Sequence, residues 1–577
     1  MTDTAPIHSE HVFLFPFAIR PGHGDVTETT RLFPALFDNL CRAGWTYAPF
    51  APTAREMAWN EYFYFHESVR ASFFETRDES KIRTAFDANR DWPAMCSFKR
   101  PCQEAKLEIQ VRGVETPYTL EVGEIRLDLF STMVGVVSLY LTNRTYADAL
   151  DVLIINDFGR RLYPQFLANG TVMTKKKFLA KSITLDCPGL GKVKEAFEGE
   201  DFFVPQIRIG SHMQAVIGQS ILDSYRITPI IDDRMFTVCW YGNQEVVDEL
   251  CGQDRQRCGN NHLTSDFWYK FIFVDNRELG VARKPDKKRL TRAATYSRWI
   301  ESGTYYGLSR YSLVCLTNQG DTPVNVLRQH MLHQYRRMAL ILLQQRASLL
   351  KFSSEIASIS ADIRQAWAGA DGKTVAEKAS RLQAVYLDFI NRLWFVEVTP
   401  QEQGIEMYDM ARKAMNLDQL AKEVSNEIRE VYEYAALAQE RRRNINMETL
   451  NGLAALALPV VLVTTLWSTG FISNVFFPES KVSLGSWLLA AAAFITTCVG
   501  VYAITRHILR RIAGCATPPA DQAGSQCQIA TPARELVDLI RWQTLWEAVR
   551  YSQARHWLLA SAVILAVRGC MTYWSAS

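Results

Sequence analysis

The chain of 577 residues lacks a strong charge of either sign: 64 Lys and Arg face 61 Asp and Glu, a formal +3. Binding nucleic acid through bulk basicity needs more than that, so no nucleic-acid partner is expected. It also lacks a CxxC pair. Its twelve cysteines are scattered, with Cys96/Cys102 and Cys251/Cys258 the closest spacings. Zinc knuckles need tighter pairs, so the pattern points to free thiols in a reducing compartment. GxSxG, HExxH and GxGxxG are all missing, and with no catalytic constellation above background an enzyme is not expected. The first residues (MTDTAPIHSEHVF) lack the basic and then apolar regions of a secretory signal, which places the N-terminal part in the cytosol. Low complexity is absent too, since 48% hydrophobic and 22% charged residues are globular values. The length implies roughly two to four domains. A mean hydropathy of -0.09 argues against a polytopic membrane protein but admits a few spans on a large soluble part.

Residues 1–323 carry both strand and helix signals. HVFLFPFAI, KLEIQVRG, YTLEVGEIRLDLF, VGVVSLYLT, FFVPQIRI, RMFTVCWYG and RYSLVCLT read as strands, by alternation or β-branched content. TRLFPALFDNLCRAG and TYADALDVLIINDFGRRLYPQFL have helical spacing. The fold class of this part is α/β or α+β. Its chemistry signals are weak. Gly189-Leu190-Gly191-Lys192 lacks phosphate-loop spacing and reads as a turn. His330 and His333 lie three apart on a helix without a nearby acidic or thiol ligand, so they read as a surface face. Asp151, Asp157, Asp232 and Asp233 are acidic enough to touch a cation, but read equally well as solvated charges.

Residues 324–450 are helical. Thr399-Pro400-Gln401-Glu402 has the form of a capping box, and no proline follows until Pro459. That predicts one helix of about 70 residues, on the order of 100 Å long. Its apolar stripe (Leu417, Leu420, Val424, Ile428, Val431, Ala435, Ala438) repeats every three or four residues, a coiled-coil-like seam that wants other helices. Such a helix reads as a stalk.

Two stretches then carry no charge, 453–478 and 482–505. Each exceeds the ~20 residues that cross a bilayer. They predict a hairpin over 451–512, with spans at 453–473 and 483–505. Arg441, Arg442 and Arg443 before it, and Arg506, Arg510 and Arg511 after it, predict cytoplasmic N- and C-termini in a bacterial-type inner (plasma) membrane. Residues 513–577 form an extension with a linker, an amphipathic stretch over 532–550 and a short apolar run over 557–567.

The layout, with Asn444, Met447, Leu450 and Pro459 at fixed helical offsets and Pro478-Glu479 beyond, resembles the CorA-type divalent-cation transporter family. The likeness covers residues 375–512. The family's Gly-Met-Asn signature is missing: Ser468-Thr469-Gly470 stand there in gapless register, and Phe471-Ile472-Ser473 before Asn474 in the other. The resemblance implies a membrane-bound pentamer that conducts Mg²⁺ or another divalent cation, with no further cofactor required. Asn444, Met447, Asn451, Leu458 and Thr465 fall on one face of the first span and are the expected pore lining. Ser468, Thr469, Gly470, Asn474 and Glu479 are the expected outer entrance. The alternatives are a ligand-gated membrane effector on the same scaffold, its N-terminal domain sensing a signal such as a nucleotide, and a non-conducting membrane scaffold.

Overall fold

The computed structural model describes residues 6–22, 29–162, 180–197, 209–232, 234–252, 260–275, 281–367 and 372–468. The chain divides into two compact units, Met1–Gln439 and Glu440–Ser577.

The first unit is built on a thirteen-stranded sheet. Its strands are β1 Ser9–Pro21, β2 Thr46–Tyr47, β3 Met95–Arg100, β4 Lys106–Gln110, β5 Tyr118–Phe130, β6 Val134–Asn143, β7 Ser182–Cys187, β8 Gly191–Ala196, β9 Tyr225–Pro229, β10 Phe236–Gly242, β11 Thr295–Tyr296, β12 Tyr305–Leu308 and β13 Ser312–Thr317. The main path is β11-β12-β13-β10-β1-β6-β5-β4-β7-β8. Two long strands each serve two neighbours along one edge. β1 pairs with β10 through Leu14 and with β9 from Phe17 onward. Pro16 lies in the gap between them, where its missing N–H costs no bond on that edge. β5 pairs with β4 up to Glu121 and with β3 from Ile125, and a bulge at Gly123 marks the switch.

Alternation along β1 sends its side chains to two cores. Phe13, Phe15 and Phe17 enter a cluster with Phe33, Leu36 and Phe37 of helix α1 (Thr29–Arg42). Val12 and Leu14 enter the other, beneath helix α5 (Arg336–Trp367). Between α1 and α5 in sequence lie the three helices that concern the sites below: α2 Glu56–Tyr64, α3 Ala149–Gly159 and α4 Asp266–Phe273. Trp268, Phe271 and Ile272 of α4 cover Tyr241 of β10 and Val314 and Leu316 of β13 in a third cluster.

After α5 come α6 Gly372–Arg392, α7 Glu402–Met415 and α8 Leu417–Ser468. The long helix expected from residue 399 is broken. Asn416 is left-handed (φ 55°), which asparagine tolerates better than most residues, and it separates α7 from α8. The capping box is also absent: Gln401 stands at the cap with no side-chain bond, and the Thr399 hydroxyl donates to the Tyr64 carbonyl. Leu417, Val424, Ile428 and Ala435 of the seam are buried in the same cluster as Ile356 and Ile359 of α5 and Leu382 and Phe389 of α6. Helices of the same chain thus cover it.

The membrane reading requires correction. Among the described residues no helix is long and apolar enough to cross a membrane. Helix α8 is charged through Glu448, and its uncharged part ends at Ser468. The part of the expected first span that it contains, 453–468, rises about 24 Å, short of the ~30 Å of a hydrocarbon core. The structure is a mixed sheet flanked by helices, in place of a soluble domain joined by a stalk to a transmembrane hairpin. The multi-pass inner-membrane placement and the description as a pentameric, CorA-like magnesium channel fall with the hairpin. The second expected span, 483–505, and the extension 513–577 lie outside the described residues. One further expectation changes: Cys41, Cys96, Cys102, Cys187, Cys239 and Cys315 are free thiols, but Cys251 is disulfide-bonded.

Candidate functional site

The residues expected to line a pore do not converge in the described structure. Asn444, Met447 and Asn451 are exposed on α8. Leu458, Thr465 and Ser468 lie further along the same helix. Thr469, Gly470, Asn474 and Glu479 lie outside the described residues. His330 and His333 do not join into a metal centre: His333 Nδ1 is 3.4 Å from Glu61 Oε2, whereas the His330 ring meets the Tyr335 ring edge-on. Among the described residues no group of three or more His, Cys, Asp or Glu is placed to hold a metal ion.

A different set of residues does converge. Helix α3 starts on an Asp148 cap, whose carboxylate accepts the Leu150 N–H at 2.7 Å. It is apolar through Ile155 and ends at Gly159, where a Cβ would stand 2.8 Å from Ile109 and 3.0 Å from Phe13. Glycine therefore lets the helix end press against the sheet. The next two residues, Arg160 and Arg161, are carried into the interior. The Met235 N–H donates to the Arg160 carbonyl, and Arg161 forms an antiparallel bridge with Arg234, just ahead of β10.

Opposite, α4 ends on Val274 in the left-handed region (φ 49°, ψ 53°). A β-branched residue there is a true outlier, costing about 1–3 kcal/mol. The strain points the Val274 carbonyl at Arg160, whose Nη2 donates to it at 2.7 Å. Asp157 closes the arrangement, with Arg161 Nη2 at 3.2 Å and Arg160 Nη2 at 3.7 Å. Arg234 donates to Asp232 at 2.7 and 3.2 Å, and its guanidinium lies 5.0 Å from the centre of the Tyr311 ring.

These groups surround a cleft of about 250 Å³, walled by Arg161, Arg234, Tyr269, Val274, Asp275 and Tyr311. Arg160 stands behind the wall, 1% exposed, and its Nε and Nη1 have no hydrogen-bond partner among the described residues. Burial pushes its guanidinium down to about 9; Asp157 opposes the shift, while Arg234 and Arg161 add repulsion. A cation so poorly solvated is stabilised by any anion brought near it.

Two other polar places compare less well. Ser9 Oγ is 2.9 Å from His11 Nε2, and Asn156 Oδ1 is 2.8 Å from His11 Nδ1, the order of a nucleophile, a base and an orienting group. All three are at most 1% exposed, and the Asn143 amide already donates to Ser9 Oγ at 2.8 Å. No substrate reaches them, so this is a polar tie joining β1, β6 and α3. A groove of about 460 Å³ on β4, β7 and β8 mixes Glu108 and Glu115 with Lys181 and Lys194 and presents no single charge.

Sequence reading took Asp157 and Asp232 as solvated, whereas both are partners of the cleft arginines. The missed residues had one local signal, the Arg160-Arg161 pair directly after an apolar helix. Val274 and Tyr311 had none. No family model matches the chain, and no curated protein matches it.

Proposed function

We propose that the unit Met1–Gln439 is a recognition module that binds a small anionic ligand in the cleft between α3, α4 and the lead-ins to β10 and β13. The observation that carries this reading is the convergence of Arg160, Arg161 and Arg234 on one cleft with Tyr269 and Tyr311 in its walls. Guanidinium groups favour phosphate and carboxylate because their planar donors match two oxygens at once. The tyrosine rings offer flat faces to a ligand's ring. A volume of about 250 Å³ is below the ~300–1,000 Å³ of pockets that enclose drug-sized molecules. The ligand is therefore one anionic group with about one ring of body, a phosphate monoester or ring carboxylate. The function is binding: the lining residues described include no Ser, Thr, Cys, His or Lys to act as nucleophile.

The test is calorimetric titration of the full chain with inorganic phosphate, nucleoside 5′-monophosphates and sugar phosphates. At least one should bind saturably, and Arg234→Gln should weaken it. A charge-assisted bond is worth about 1.5–3 kcal/mol, or roughly 10- to 150-fold in affinity. No saturable binding by any of these anions, or unchanged affinity in Arg234→Gln, refutes the reading.

A further inference from the structure

The lip of the cleft holds a second pair of cations that the first group of arginines does not need. The tight turn between β12 and β13 is held by the Ser309 N–H to the Ser312 carbonyl (2.9 Å) and by the Tyr311 N–H to Ser309 Oγ (3.2 Å). It presents Arg310 outward, next to the Tyr311 ring that walls the cleft. Helix α5 passes on the same side and contributes Arg346, partly buried, whose Nη1 has no hydrogen-bond partner among the described residues. Burial lowers the Arg346 guanidinium; Arg310 lowers it further by like-charge repulsion, while Tyr311 and Asp232 act against both. Asp232 is already committed to Arg234 through two short bonds. Two guanidinium groups are thus held within repelling distance of each other, beside an anion cleft, with a shared carboxylate already engaged elsewhere. Folding gains nothing from such a pair in the empty protein, and a second anion gains from both.

We propose that Arg310 and Arg346 form a second anion subsite at the lip, so that the ligand carries two adjacent anionic groups, as a diphosphate or vicinal bisphosphate does. This rests on the cleft reading above and names its ligand class: one group sits against Arg160, Arg161 and Arg234, the other against Arg310 and Arg346. Arg346 stands ten residues into α5, whose other face packs on the sheet and on α6. Filling the lip therefore places the ligand's second charge on the helix that links the sheet to the helical cluster.

The probes are inorganic orthophosphate and inorganic pyrophosphate, titrated calorimetrically into the full chain in the presence of EDTA. Pyrophosphate should bind at least about tenfold tighter than orthophosphate, the equivalent of one added charge-assisted bond. Arg346→Gln and Arg310→Gln should each bring pyrophosphate toward the orthophosphate affinity while leaving orthophosphate unchanged. Arg234→Gln should weaken both. Arg310 is exposed, so its variant keeps the fold even where the Arg346 variant does not. Equal affinities in the unsubstituted protein, or an intact pyrophosphate preference in Arg310→Gln, overturns the second subsite and leaves the cleft. Failure of both anions to bind overturns both.

Discussion

Glu61 of α2 is 3% exposed and lies beneath the start of α5, where it is the carboxylate that two adjacent buried arginines share. Arg337 Nε donates to it at 2.8 Å, Arg336 Nη2 stands at 3.9 Å and His333 Nδ1 at 3.4 Å. Replacing Glu61 with Gln keeps the shape and removes one charge. Arg336 is then left with Asp128 at 3.7 Å, and Arg337 with the Phe73 carbonyl at 3.1 Å and the Phe74 ring at 4.4 Å. Breaking a buried ion pair costs about 3–5 kcal/mol, because the surviving charge stays desolvated. The remaining carbonyl and ring contacts of Arg337 put the expected loss near the lower end, ~3 kcal/mol. Urea denaturation followed by tryptophan fluorescence measures it, with Trp45, Trp240 and Trp268 as fully buried reporters. If an unpaired charge is the cause, Glu61→Gln combined with Arg337→Met recovers much of the loss. pH supplies a second check. Burial pushes the Glu61 carboxyl up, but Arg337, His333 and Arg336 together outweigh it, and the net shift from 4.5 is downward. The stabilisation is therefore present above 4.5 and is lost as the pH falls toward the folded value. Glu61→Gln should lack that acid-sensitive component. A loss below about 1 kcal/mol, or a double variant as unstable as both single losses together, refutes the reasoning.

Two further outcomes follow from buried groups. Burial lowers His11 from 6.5 to about 4 against the opposing Asn156 bond, so unfolding takes up a proton between those values. That stabilisation is complete above pH 6.5 and falls by up to about 3 kcal/mol toward pH 4. The urea midpoint of His11→Asn should vary less over this range than that of the unsubstituted chain, and equal slopes would contradict the burial argument. Gly404 sits in α7 where a Cβ would meet the Tyr64 hydroxyl and Thr399 Cγ2, each at 2.4 Å. Gly404→Ala should destabilise by about 1–3 kcal/mol despite alanine's better helix propensity, and stabilisation in the same urea assay would sink the packing claim.

Strands and helices were largely legible where a face or a whole strand is buried. β1, β5, β6, β10 and β13 occupy the runs HVFLFPFAI, YTLEVGEIRLDLF, VGVVSLYLT, RMFTVCWYG and RYSLVCLT, because alternation or β-branched content is a property of neighbouring residues. The expected strand FFVPQIRI lies largely outside the described residues. The break at Asn416 had a signal that was passed over, since asparagine is among the residues most at ease in the left-handed region. The membrane hairpin rested on absence of charge, which measures composition and not the length of helix that it covers.

What the sequence determined by itself is local: periodicity, punctuation, and an α8 seam at three- and four-residue spacing that had to be covered by something. Tertiary structure alone decided what covers it, namely α5 and α6 of the same chain, because a stripe states how much apolar surface must be hidden and not which partner hides it. The cleft belongs wholly to tertiary structure. Arg160 and the Val274 carbonyl are 114 residues apart, and the strain at Val274 exists only once α4 is fixed against β10 and β13. A charged residue's surroundings are set by whichever segments the sheet brings together, so the same arginine reads as a solvated charge in the chain and as a poorly solvated cation in the fold.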